Sequence, residues 1–396
     1  MDILFFSILT NFIYYCSGNI IQSHLKFGNN SNFFIFLIGA ITISAIGLFL
    51  NFFLPLSQLT NTLLYIFIII IFIFKTKLNF NKGFFLFLLC SSLITFLLII
   101  YSNANRPDAG LYHLPYISIL NENKIFFGIS NLHFRYGHIS ILQYLSAINN
   151  NYLFLNNGIS IPLASVVSFF YIYFFLDTLN IIKKNKSLKA DNAFSLLILI
   201  YIAYKITRYS SFGNDAVAHL SYFYLISLIL KNNLKKININ EILLISVFIF
   251  MNKPMLGIVF LIPLVIFLFK NKLNLNKILN YTFSLPVLLL TIWLIKNVIT
   301  SGCLIFPIKS SCVEKLPWTN IDQIINTQIE GEAWSKAWPD RIDKKISMEE
   351  FSKDFNWIIA WKQKHMKYIL KILFPYILIL IIILILIKKE KSKHLN

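Results

Sequence analysis

The sequence predicts an all-α fold, a polytopic transmembrane helix bundle of about eleven spans. Three observations carry that reading. The 396 residues are 57% hydrophobic and 13% charged, with a mean hydropathy of +0.68; a soluble domain is roughly 25% charged. The apolar residues fall in long runs separated by short polar loops. The lysines occupy alternate loops. This composition excludes a soluble globular protein, a disordered chain and a secreted disulfide scaffold. The formal charge of +19 would suit a nucleic-acid binder if it were spread over one surface. Clustered between apolar runs, it is a positive-inside signature, and no nucleic-acid partner is expected.

In chain order the apolar segments cover 2–16, 33–54, 62–76, 83–101, 159–176, 193–206, 216–230, 240–251, 254–269, 278–296 and 368–388. A hydrocarbon core of ~30 Å needs about 20 apolar residues per helix. The segments 193–206 and 240–251 are short for that and require protein neighbours or partial depth. No cleavable signal peptide is expected, because a basic n-region and a small-residue cleavage site are both missing. Strict alternation puts five lysine groups on one face, taken as cytoplasmic. They are Lys75, Lys77 and Lys82; Lys183, Lys184, Lys186 and Lys189; Lys231, Lys235 and Lys236; Lys270, Lys272 and Lys277; and Lys388, Lys389, Lys391 and Lys393. The segments 102–158, 207–215, 252–253 and 297–367 then face outward.

This organises the chain into four parts: N-terminal helices over 1–80, a core over 81–296 containing outer loop 102–158, a second outer loop over 297–367, and a last helix with a basic tail over 368–396. The first outer loop has two amphipathic stretches, 112–121 and 137–148, expected on or in the outer interface. The second is rich in Trp, and Ser347 with Glu350 forms a capping-box signature. That box predicts a helix with Phe351, Phe355, Ile358 and Trp361 on one side. Cys16 and Cys90 read as packing residues in apolar runs. Cys303 and Cys312 share the second outer loop and are candidates for a disulfide.

The candidate chemistry gathers on the outer side. Asp108, Glu122 and Asp215 are the acids of the outer loops before residue 297. Asp108 directly follows an apolar helix, and the simplest role for it is an N-cap. Tyr112 and His113 follow it by one turn, and then come His133, Arg135 and His138. Asn214 and Asp215 precede another apolar helix, with His219 on the same face one turn on. A cap beside a satisfied histidine explains that pair. Four of the seven histidines, His113, His133, His138 and His219, nevertheless lie on the side of these acids, and that concentration favours a site. Arg106, Arg135, Arg208, Lys253 and Lys296 are cations at the outer boundary, against the positive-inside bias. Snorkelling accounts for such residues singly. Binding an anionic lipid phosphate accounts for them together, with Lys253 foremost because it lies between two helix ends.

The string Asp-Ala-x-x-Tyr-His-Leu-Pro from Asp108 to Pro115, and Asn-Leu-His-x-Arg-x-Gly-x-x-Ser from Asn131 to Ser140, resemble a poorly characterised group of bacterial multi-pass membrane proteins. More broadly, an acid just after an in-to-out helix, with amphipathic stretches behind it, resembles the GT-C-type integral-membrane glycosyltransferases. The resemblance covers roughly 80–350. It implies an inverting transfer of a sugar from a polyprenyl-phosphate donor to a lipid, glycan or protein acceptor. The site would face the periplasm from a bacterial cytoplasmic membrane. Asp108 would be general base, and Arg106, Arg135, Arg208 and Lys253 would bind the donor phosphate. Tyr112, His113, His133, His138, Asn214, Asp215 and His219 would support them. Segments 2–76 look like an addition to that pattern, and the first loop lacks an Asp-Asp or Glu-x-Asp pair. No cofactor is therefore expected.

Two other classes compete. A glycolipid transporter or flippase would carry intramembrane charges and paired repeats, and no internal repeat is evident. A metal-dependent enzyme at the outer face would use Asp108, His113, His133, His138, Asp215 and His219 as ligands, although no short His-x-x-His spacing is present.

Overall fold

The computed structural model describes residues 2–25, 27, 29–75, 80–101, 107–183, 190–209, 212–231, 237–271 and 281–393. Among these residues the regular structure is helical, apart from one antiparallel bridge between Cys303 and Cys312. The α-helices are α1 (Asp2–Leu25), α2 (Asn32–Asn51), α3 (Gln58–Lys75), α4 (Lys82–Tyr101), α5 (Leu114–Glu122) and α6 (Ile141–Ile148). Then follow α7 (Ile161–Lys183), α8 (Ala190–Tyr209), α9 (Asp215–Lys231), α10 (Ile239–Asn252), α11 (Leu261–Asn271) and α12 (Tyr281–Ser301). The last are α13 (Ile321–Ser335), α14 (Met348–Ser352), α15 (Ile358–Trp361) and α16 (Lys367–Lys393). Among the described residues every apolar segment read from the sequence forms a helix over most of its length. Five helices among the described residues are long and apolar enough to cross a membrane: α1 to α4 and the run Leu155–Asn180. Lys77, Lys184, Lys186, Lys189, Lys235, Lys236, Lys272 and Lys277 lie outside the described residues, as does Arg106.

The chain forms two compact units. The first comprises Met1–Phe126, Ile139–Asn180 and Phe194–Lys296. Its α1 and α2 touch through backbone. A Cβ on Gly18 would sit 1.8 Å from the Ile35 carbonyl oxygen, and one on Gly39 would sit 1.7 Å from that of Tyr14. Only glycine permits so close an approach, which is how helices associate where lipid offers no hydrophobic drive. On another face of α1, Asn11 Nδ2 donates to Ser92 Oγ of α4 at 3.0 Å, with Ser91 Oγ at 3.3 Å. Rings fill the space between helices: Tyr15 packs on Phe84, Phe36 on Phe87, and Phe33 on Tyr224. By contrast Leu63, Phe67, Ile70 and Phe74 make an exposed apolar stripe along α3, and Leu86, Leu89, Leu93 and Leu97 make one along α4. Exposed stripes of this extent suit a lipid surface.

Polar contacts sort the loops of the first unit into two sets. At one end Lys231 Nζ lies 2.8 Å from Asp177 and donates to the Tyr173 hydroxyl at 2.7 Å, and Ser195 donates to Asp177. At the same end Tyr224 OH and Asn29 Nδ2 donate to Glu241 Oε1 at 2.7 and 3.0 Å. At the other end of α2, Asn51 Nδ2 donates to the Asn123 carbonyl at 3.0 Å. Nearby Asn61 Nδ2 faces the carbonyls of Leu56, Ala147 and Asn150 at 2.7 to 2.9 Å. Each of these contacts joins segments that alternation of the apolar segments puts on the same side.

The stretch 137–148 departs from its expected place on the outer interface. All eight residues of α6 are buried. Its Ile148 side chain fills the hollow at Gly47 of α2, and the helix is enclosed by protein all round.

The second unit comprises Phe127–His138, Ile181–Ala193 and Asn297–Asn396. Gly128 N donates to the Ile299 carbonyl, Asn131 Nδ2 to that of Trp318, and Gln323 Nε2 to that of Ser130, at 2.9 to 3.1 Å. Cys303 and Cys312 form a disulfide packed with Phe306, Ile324 and Phe134. A separate small core holds Ala333, Ala337, Phe351 and Ala360 under Trp338 and Trp357. Ser347 caps α14 as expected, its hydroxyl accepting from Glu350 N at 3.2 Å. The helix then stops after Ser352, because Asp354 and Phe355 adopt positive φ. Phe351 is buried and Phe355 is exposed, so the single apolar face expected from Phe351 to Trp361 is divided.

Candidate functional site

Pro115 stands near the start of α5 in a helical run that continues unbroken from residue 107, and it has no N–H to give to that run. Ahead of it Ala109–His113 forms a π-helical turn. Such turns are rare and recur at functional sites. Asp108 heads this turn with helical φ and ψ, and its side chain makes no capping bond, so the N-cap role fails. Its carboxylate is exposed and forms no hydrogen bond or ion pair with another described residue. At the other end of the turn His113 is buried, with the Tyr112 ring 4.2 Å from its own.

From His113 a chain of polar groups runs across the unit. Ser140 N donates to Gln143 Oε1 at 2.9 Å, which fixes the orientation of that amide. Gln143 Nε2 therefore faces His113 Nδ1, 2.6 Å away. A donating amide makes Nδ1 an acceptor and puts the proton of neutral His113 on Nε2. Ser140 is also the N-cap of α6, forming a full capping box with Gln143. Its hydroxyl lies 3.3 Å from Asn252 Oδ1. Asn252 Nδ2 donates to the Phe248 carbonyl, and the Asn252 carbonyl accepts from Asn214 Nδ2 at 2.7 Å.

Asn214 leads directly to Asp215 at the start of α9. Lys253 caps α10 in extended conformation, as a residue before proline prefers. Lys253 Nζ meets Asp215 Oδ1 at 2.8 Å. Each charge sits at the helix end its dipole favours, the anion at an N-terminus and the cation at a C-terminus. The pair is solvent-accessible, with the side chains 65% exposed at Asp215 and 25% at Lys253. It is worth at most about 1 kcal/mol. His219 lies one turn into the same helix and is half-buried.

The structure thus joins Tyr112, His113, Asn214, Asp215, His219 and Lys253 in one unit with Asp108. Lys296 is removed from the surface cations. It is fully buried, with Nζ 3.3 Å from the Ile139 carbonyl and 4.9 Å from the centroid of the Trp293 ring. It steadies the backbone just before Ser140. His133, Arg135 and His138 belong to the second unit. There Arg135 lies over the Phe134 ring, His133 stacks on that same ring, and His138 meets Phe306 edge to face. Arg208 falls within α8. Among the described residues no three His, Cys, Asp or Glu side chains converge as a metal site would require.

Sequence reasoning missed Ser140 as a bridging group, Gln143 and Asn252. The first two carried a signal, because Ser140-x-x-Gln143 is a capping-box pattern. Asn252 carried none beyond its place before Lys253-Pro254.

The chain belongs to the domain-of-unknown-function family DUF8201, which matches residues 1–395. No curated protein matches it. No solved structure matches it.

Proposed function

We propose that the protein is an inverting, GT-C-type membrane glycosyltransferase. In this reading the eleven apolar helices cross a bacterial cytoplasmic membrane, and the end carrying Asp108, His113 and Lys253 faces outward. A polyprenyl-phosphate sugar enters from the outer leaflet. An acceptor hydroxyl or amide attacks the anomeric carbon, and the bond to the lipid phosphate breaks. Asp108 takes the acceptor's proton as general base. Lys253 exchanges Asp215 for the phosphate and neutralises the charge that develops as it leaves. By the sequence expectation Arg106, Arg135 and Arg208 contribute to the same task. His113, anchored through Gln143, holds the far end of the π-helical turn in place. The donor is already activated, so no nucleotide is needed.

The observation that carries this reading is Asp108: an exposed carboxylate with no partner among the described residues, heading a π-helical turn whose far end is locked into a buried polar chain. An exposed carboxylate without a partner among the described residues is open to take a proton from an acceptor. The sorting of loops into two sets supports the sidedness. The resemblance of 108–115 and 131–140 to GT-C-like proteins supports the class.

The test is to purify the wild type and Asp108→Asn in detergent and record native mass spectra of each. The variant is expected to retain a glycosylated polyprenyl phosphate that the wild type has lost or deglycosylated. Two equally well-folded proteins, neither holding a polyprenyl lipid, would sink the proposal.

A further inference from the structure

A cleft of about 880 Å³ opens in the first unit between the start of α3, α5 and the segment 150–160. Small-molecule sites occupy roughly 300–1,000 Å³, so it takes the end of a short chain rather than a whole polymer. Nine of its fifteen lining residues carry an amide or a hydroxyl, and Ile3, Leu59, Leu114, Ile159 and Phe212 supply apolar wall between them. Among its described lining residues there is one carboxylate, Glu122, and no lysine or arginine. That charge balance disfavours phosphate and other anions.

The amides of the floor are held in place by one another. Gln58 Nε2 donates to Asn150 Oδ1 at 3.1 Å, and Asn150 Nδ2 donates to Asn121 Oδ1 at 3.0 Å. Asn121 Nδ2 in turn donates to the backbone carbonyls of Leu56 and Ala147 at 2.6 and 2.9 Å. Ser118 Oγ donates to Glu122 Oε1 at 2.9 Å and fixes that carboxylate. Groups so positioned lose little entropy when a ligand arrives. At the rim Asn156 and Asn157 are exposed and form no side-chain hydrogen bond with another described residue. Tyr152 is 59% exposed and offers a ring face.

Fixed amides and a carboxylate pair with vicinal hydroxyls, and an aromatic face covers the C–H side of a pyranose. We infer that this cleft binds a neutral saccharide. Its role as the acceptor glycan rests on the transferase reading above; the binding itself does not.

The experiment uses the full chain in a detergent without a sugar headgroup, because a glycoside detergent would compete. Saturation-transfer NMR is recorded with maltotriose, chitotriose and mannotriose, with inorganic phosphate and tetraethylene glycol as controls. At least one trisaccharide is expected to receive saturation while both controls receive none. Its affinity should fall at least tenfold in Asn156→Trp, which plugs the rim, and in Tyr152→Ala, which removes the ring. Both positions are exposed, so the variants should keep the wild-type thermal midpoint. If either variant unfolds, the other decides. Failure of all three sugars, binding of phosphate in their place, or sugar binding unchanged in a folded variant would overturn the inference. Sugar binding without any copurified polyprenyl lipid would leave the cleft standing and remove the transferase reading. Copurified lipid without sugar binding would do the reverse.

Discussion

Lys253 has two relationships that pull in different directions. In the free protein it faces Asp215, yet that pair is exposed and weakly stabilising. A residue whose resting contact is worth so little is free to exchange it for a ligand. Lys253→Gln should therefore lower thermal stability by less than ~1 kcal/mol. It should raise KM for the lipid donor about tenfold, a loss of roughly 1.4 kcal/mol in binding. A calorimetric scan and a donor titration separate the two quantities. Unaltered KM would remove Lys253 from phosphate binding. The sequence displayed this residue clearly, because a lysine between two helix ends on the outer side breaks the charge bias. It did not display the Asp215 contact, since 38 residues separate the two in the chain. Lys296 looked equivalent by the same reasoning and is buried, because a cation near a helix end reads alike whether it faces water or the interior. Asp108 was legible by position, but the π-helical turn that replaces a simple cap was not.

At the scale of elements, the long apolar helices were readable because runs of apolar residues decide them locally. Two elements were misplaced, for related reasons. The stretch 137–148 has an amphipathic pattern and a capping box, so its helix was foreseeable. Whether its polar face meets headgroups or other helices depends on neighbours far away in sequence. Gly47 supplies the hollow for Ile148, and Asn252 supplies the partner for Ser140. The region after Ser347 errs in the opposite sense. Its cap formed, but burying Phe351 under Trp338 took precedence over continuing the helix, and Asp354 and Phe355 accept left-handed backbone in consequence. Apolar spacing predicts which side chains share a face only while the helix lasts.

At the scale of the whole molecule, sidedness joins the sequence to the proposed chemistry. The lysine pattern divides the loops into two sets, and the contacts described in the first unit join only segments that it puts on the same side. With Cys16 and Cys90 replaced by Ser, single cysteines at Asn123 and at Asn30 provide the check. A membrane-impermeant maleimide applied to sealed right-side-out vesicles should label the protein with Asn123→Cys and spare the one with Asn30→Cys. The reverse pattern would place the site in the cytoplasm and exclude an outer-leaflet donor, and labelling of both would contradict the division of the loops into two sets.

Of the five membrane-length helices, α1 has the lowest hydropathy and keeps Ser7, Thr10, Asn11 and Ser17 inside the protein. Asn11 is answered only by Ser91 and Ser92, which a ribosome delivers some 80 residues later. Of the five, α1 is therefore the helix least able to remain in lipid alone. Its tenure depends on α2 docking through the paired glycines, and it is complete once α4 has arrived. Nascent chains halted after α3 should release α1 to alkaline extraction, whereas chains halted after α4 should hold it. Equal retention at both lengths would show that α1 inserts independently. The order of biogenesis is thus encoded by one amide and two glycines.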